Sequence, residues 1–154
     1  MSDKNMISNR RKYDKYAPAN ALRRAFEIFD ELGQEIIDKH DDLPESLQVG
    51  ERAQMLLETA EALSSIDAVE LPQEITNEPV FSELVVIPAL KSRASREDRF
   101  AYAIAMLQDV RDDLDFHAHE GIPRSVALVE AADAVIRVLD QIIAEAGQIE
   151  FGVY

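Results

Sequence analysis

Residues 95–120, SREDRFAYAIAMLQDVRDDLDFHAHE, decide the fold. At 3.6 residues per turn, Phe100, Ala103, Ile104, Leu107, Val110 and Leu114 fall on one stripe. Tyr102, Ala105 and Met106 form a second stripe opposite the first half of it. A helix that is apolar on both sides is buried on both sides, so this half is expected at the centre of a core. The second half turns acidic: Asp109, Asp112, Asp113, Asp115 and Glu120 surround His117 and His119. It is expected to form a charged rim. Ser95 with Asp98 three residues on is a capping-box pattern that places the helix start. Gly121 is expected to stop the helix, and Pro123 to open the next at its first position.

Working outward, PRSVALVEAADAVIRVLDQIIAEA at 123–146 puts Leu128, Ala132, Val135, Leu139, Ile142 and Ala146 on one face, with Gly147 as the expected residue just past its end. Upstream, ANALRRAFEIFDELGQEIIDKH at 19–40 is amphipathic, with Leu22, Ala25, Phe26, Phe29, Leu32, Gly33 and Ile36 facing inward. Gly33 there costs on the order of 1 kcal/mol against alanine, which a closely crossing helix would explain. Arg23–Glu27 and Glu35–Lys39 are i,i+4 pairs. Asp42, Pro44 and Glu45 resemble a capping box, so a second helix is expected from 45 to 65, with Val49, Ala53, Leu56, Ala60 and Leu63 inward. Residues 66–79 hold Pro72 and Pro79 and no steady period; they are expected to lie across the bundle, because Val69, Leu71 and Ile75 need cover. For 80–90 the expectation is a short helix ending or kinking near Ile87, since Pro88 cannot continue it. A strand over 84–87 is the alternative. The sum is an all-α fold, an up-and-down bundle of four to five helices with a short proline-interrupted segment.

Three parts are expected: a basic arm at 1–17, an acidic bundle at 18–147, and a tail at 148–154 docked on it. Residues 1–24 carry a net charge of +5 and residues 25–154 a net of −19. Arg10, Arg11 and Lys12 are candidate contacts for an anionic partner or for the chain's own acidic body, or a neighbour's. The body itself would repel nucleic-acid phosphates, leaving the arm as the only nucleic-acid candidate. It would instead attract basic proteins or cations. Of 154 residues, 47% are hydrophobic and 30% charged, an ordinary globular balance without cysteine. A disulfide framework and thiolate metal sites are excluded, and a reducing cytoplasm is the expected compartment. No apolar run approaches the roughly 20 residues of a membrane-spanning helix, and no secretory h-region follows the N-terminal charges.

Asp109, Asp112, Asp113, Asp115 and Glu120 are the candidate partner-binding residues. Asp113–His117 and Asp115–His119 are i,i+4 pairs, but a two-residue offset turns them about 160° apart, so one helix cannot gather all four round one ion. His117 and His119 are therefore metal candidates only with carboxylates from elsewhere. Arg111 falls on the apolar side of its helix and needs either the bundle edge or a carboxylate partner. His40, at a helix end, is expected as a cap or surface residue. No catalytic signature is present: no Glu-x-x-His, phosphate loop, G-x-S-x-G, H-E-x-x-H or EF-hand loop. His40–Asp41 is shared with HD-type phosphohydrolases, which place a further histidine upstream that is missing here.

The expected function is that of a non-enzymatic acidic bundle that binds and regulates, inhibits or chaperones a basic protein partner, with no cofactor. The alternative is a metal-binding bundle with hydrolase activity using His117 or His119. Homodimerisation through spare apolar surface on the central helix is compatible with either.

Overall fold

The computed structural model describes residues 12–120 and 123–151. Its elements in chain order are β1 (Tyr13–Tyr16), α1 (Pro18–Asp41), α2 (Glu51–Ser64), α3 (Gln73–Thr76), β2 (Val85–Pro88), α4 (Arg96–His119) and α5 (Val126–Ala146), with single 3-10 turns at Glu45–Leu47 and Pro79–Ser82. The architecture is a mostly-α helical bundle with a two-stranded antiparallel sheet at its side.

The central helix α4 begins where its capping residues put it. The Ser95 hydroxyl accepts from the Asp98 amide at 3.0 Å, and the Asp98 carboxylate accepts from the Ser95 amide at 3.4 Å. Two of the four orphan donors of the first turn are thus satisfied. Ala103, Leu107, Val110 and Leu114 are buried on one side and Tyr102 and Met106 on the other. Both stripes are used, because α4 packs on α1, on α5 and on β2. In space the long helices run α2, α1, α4, α5, and the core is one continuous cluster across them. Each fully buried Leu, Ile or Phe contributes about 1.5–3 kcal/mol of transfer free energy.

α1 starts at Pro18, whose missing amide hydrogen is no loss in a first turn. Gly33 lies where α2 crosses: a Cβ there would stand 3.5 Å from Ser64 Oγ and 3.6 Å from Leu63 Cβ. These are ordinary contact distances, so a methyl fits without displacement. Gly33→Ala should therefore stabilise the fold by about 0.5–1 kcal/mol through helix propensity, read as a higher urea midpoint at unchanged slope. Across the other side of α1, Glu35 accepts from Arg99 at 2.6 Å and lies 3.5 Å from Arg96, tying α1 to the first turn of α4. Arg99, then Arg96, hold the Glu35 carboxyl below its ordinary range. Arg24, rather than Arg23, takes Glu27 and Glu31, while Arg23 bonds Asn20.

Three expectations are corrected. The second helix begins at Glu51, not 45. Pro44 and Glu45 start only one 3-10 turn, and Gly50 then resets the chain before helix resumes. Val49 consequently sits outside the helix and is 91% exposed instead of facing inward. In the 80–90 segment a 3-10 turn at Pro79–Ser82 leads into a strand at Val85–Pro88, close to the 84–87 strand given as the alternative, in place of the kinked helix. Its β-branched Val85, Val86 and Ile87 suit a pleated surface, and Pro88 falls at the end of the ladder, where a missing donor is tolerated. Its partner is Tyr13–Tyr16, within the 1–17 segment expected as a basic arm, in the register Tyr13↔Pro88 to Tyr16↔Val85. Finally, α5 starts at Val126 rather than Pro123, because the Ser125 hydroxyl caps it by accepting from the Leu128 amide at 3.2 Å. Gly147 ends α5 with a right-handed φ of −62°, so its freedom at positive φ is not used.

The strand pair is held to the bundle by polar contacts as well as by buried Val85 and Ile87. Tyr102 O–H donates to Asp14 at 2.6 Å, and the Tyr16 and Tyr102 hydroxyls lie 2.8 Å apart. Desolvation first, then the bond to Asp14, hold the Tyr102 hydroxyl firmly protonated. Val69 and Leu71 are half-buried and Ile75 is fully buried, so residues 66–79 do cross the bundle. Ile149 and Phe151 of the tail are half-buried, with the Phe151 ring 5.0 Å from Phe100. No described helix is long and apolar enough to cross a membrane. Arg10, Arg11, Gly121 and Val153 lie outside the described residues.

Candidate functional site

Against the acidic half of α4 stand α5, through Asp133 and Asp140, and the segment before β2, through Phe81 and Glu83. The carboxylates of this half divide into separate groups, set by helix rotation and by which neighbour stands opposite.

On the α5 side, Arg111 donates to Asp140 at 2.9 Å and also reaches Asp112 at 3.3 Å and Asp115 at 3.6 Å. One guanidinium thus serves three carboxylates, so the group keeps a negative balance. The expectation for Arg111 resolves to a bridge at the bundle edge. Its partners are well exposed, and such a bridge contributes at most about 1 kcal/mol. His119 points the same way, with Nε2 2.5 Å from Asp133 of α5 and 3.9 Å from Asp115.

On the opposite side, His117 Nε2 is 3.2 Å from Asp113 Oδ1, one helical turn back, and 3.5 Å from Glu83 Oε2, in the residues just before β2. The rings of Phe81 and Phe116 meet His117 edge-on at centroid distances of 5.7 and 5.2 Å, fixing the imidazole plane. Arg124 donates to the His117 carbonyl at 3.2 Å, satisfying one of the last acceptors of the helix. Desolvation raises the Asp113 carboxyl above its ordinary value, with His117 opposing that shift and Glu83 adding to it. His117 and His119 therefore belong to different groups, and each recruits a carboxylate from another segment. Neither Glu83 nor Asp133 was legible as a partner: each joins its histidine only through the tertiary fold.

Asp109 lies on the flank of the same helix, half-buried, with its carboxyl raised by desolvation and then by Asp112. A carboxyl raised in the folded state favours folding below its unfolded pKa, and that gain is lost as pH rises through the folded value. At neutral pH the ionised group is therefore a cost. Asp109→Asn should raise the melting temperature at neutral pH, with the gain shrinking as pH falls into the carboxylate range. Asp112 and Glu120 are exposed, as is Lys12 at the start of β1. His40 at the end of α1 pairs through Nδ1 with Asp41 at 3.2 Å, but its side chain is only 12% exposed and Nε2 is shielded with no hydrogen-bond partner among the described residues, so it is not the surface residue expected.

A groove of about 390 Å³ lies between the first half of α1 and residues 68–71. Phe26, Val69 and Leu71 line its apolar part; Glu27, Asp30 and Glu70 line its acidic part, with Arg23 among them. Residues 66–83, which form one wall, carry Asp67, Glu70, Glu74, Glu78 and Glu83 with no lysine or arginine. On the central helix, Phe116 is the large apolar side chain left exposed, at 54%.

Comparison of the chain with protein-family models, curated proteins and solved structures found no match.

Proposed function

We propose that this protein is a non-enzymatic acidic helical module that binds a basic protein partner and thereby regulates, inhibits or chaperones it. The observation that carries this reading is the placement of charge. Among the described residues no charged side chain is fully buried, and apart from the partly shielded Asp109 and Asp113 most of the net −19 of residues 25–154 faces solvent. Such a surface attracts basic partners over distances of about 8–10 Å at ordinary ionic strength and repels phosphate backbones.

Two regions are suited to contact. The rim of Asp109, Asp112, Asp113, Asp115 and Glu120 has Arg111 against Asp112 and Asp115 only, and the groove by α1 combines carboxylates with an apolar part. A lysine or arginine side chain matches that combination, because its aliphatic stem packs while its head group meets the acids. The basic arm, with Arg10, Arg11 and Lys12, is the natural contact for an anionic surface, including that of a second copy.

The test is capture at low salt followed by identification of the bound protein. The reading requires a partner with a basic surface whose complex with this chain reconstitutes from purified components. A reproducible partner with an acidic surface would contradict it. A metal-binding reading is favoured by one specific observation, the convergence of Glu83 on Asp113 and His117.

A further inference from the structure

We propose that Glu83, Asp113 and His117 form a binding site for a first-row divalent cation of zinc-like preference. The inference is independent of the partner-binding reading, since it rests on ligand geometry.

Three donor atoms from two separate segments, one imidazole nitrogen and two carboxylate oxygens, all lie within 4.8 Å of one another. Zinc bonds such donors at about 2.0–2.2 Å, and in a tetrahedron adjacent ligand atoms then stand about 3.3–3.6 Å apart. The observed edges from His117 Nε2 are 3.2 Å to Asp113 Oδ1 and 3.5 Å to Glu83 Oε2. An ion can enter with small side-chain adjustments alone. The mixed nitrogen and oxygen donor set selects zinc or cobalt over manganese, magnesium and calcium, which prefer oxygen alone.

A second observation points the same way. Asp113 Oδ2 is shielded from solvent and meets no hydrogen-bond donor among the described residues. A buried carboxylate oxygen left in that state costs about 1–3 kcal/mol, and more when charged. A cation bound by both carboxylate oxygens, Oδ2 as well as the Oδ1 that faces His117, would offset that cost. His117 is 12% exposed and its ring is held by Phe81 and Phe116, so the nitrogen is oriented before an ion arrives. Three protein ligands leave a fourth position open on the side of the exposed Glu83. Binding would clamp the segment before β2 onto α4, linking metal uptake to the stability of the strand pair.

The experiment is calorimetric titration of chelator-stripped, full-length protein with zinc chloride, repeated with manganese, magnesium and calcium. The expected result is stoichiometric zinc binding, with manganese, magnesium and calcium not competing. Cobalt substitution should give the visible absorption of four-coordinate cobalt. Glu83→Gln removes a ligand from an exposed position without threatening the fold, and should weaken zinc by more than the about 10–100-fold typical of losing an outer-sphere partner. His117→Ala should abolish binding, while His119→Ala, which alters the separate Asp133 group, should leave it intact. Absence of zinc binding by the wild-type chain, or binding that survives Glu83→Gln and is lost in His119→Ala, would overturn the proposal.

Discussion

Phe29→Ala should lower the unfolding free energy by about 3–5 kcal/mol, a large share of the roughly 5–15 kcal/mol that holds a domain of this size together. Phe29 is 1% exposed at the α1–α4 contact. Its ring lies 6.0 Å from Phe26 and 5.6 Å from Phe100, and Phe100 in turn meets Phe151. Truncation loses the transfer free energy of the ring, leaves a cavity, and removes the first link of an aromatic chain that reaches from α1 to the C-terminal tail. Each ring pair adds about 0.5–1.5 kcal/mol beyond area burial. Urea unfolding followed by circular dichroism would show the midpoint falling with little change of slope. A loss below about 1 kcal/mol would mean that α1 and α4 do not share the interior described.

Reversal of charge at the rim should have a comparable effect on association. Asp112→Lys, Asp115→Lys and Glu120→Lys together change the formal charge from −14 to −8, each reversal adding two. Asp112 and Glu120 are exposed and Asp115 is about half-exposed, and the Arg111 bridge that Asp112 and Asp115 share contributes little to stability, so the triple variant should fold. Against a basic partner, its association rate at low salt should fall by about tenfold or more, with a smaller change in dissociation rate. Stopped-flow mixing measures both. Equal association rates for the wild-type and reversed chains would remove the rim from the interface.

The helices were legible because their information is local. Leu22 to Ile36, Ala103 to Leu114 and Leu128 to Ala146 repeat at helical spacing, and each stripe finds cover within the same chain. Capping at Ser95 was legible for the same reason. The boundary errors came from competing signals a few residues apart: Gly50 outweighed Glu45, and the Ser125 hydroxyl outweighed Pro123. The strand pair was harder to see. VVIP is a short apolar run consistent with helix or strand, and what decides it is pairing with Tyr13–Tyr16, more than 60 residues away. The site follows the same division. Asp113–His117 and Asp115–His119 are helical neighbours and could be read from spacing. Glu83 and Asp133 reach those histidines only because a connection without steady period and a separate helix are folded against α4.

The most direct test of the central claim, that this solvent-facing negative charge binds a basic partner, is the salt dependence of the partner complex. The dissociation constant should rise steadily between about 50 and 200 mM salt, as screening shortens the reach of the surface field. A dissociation constant that stays constant over that range would contradict the account.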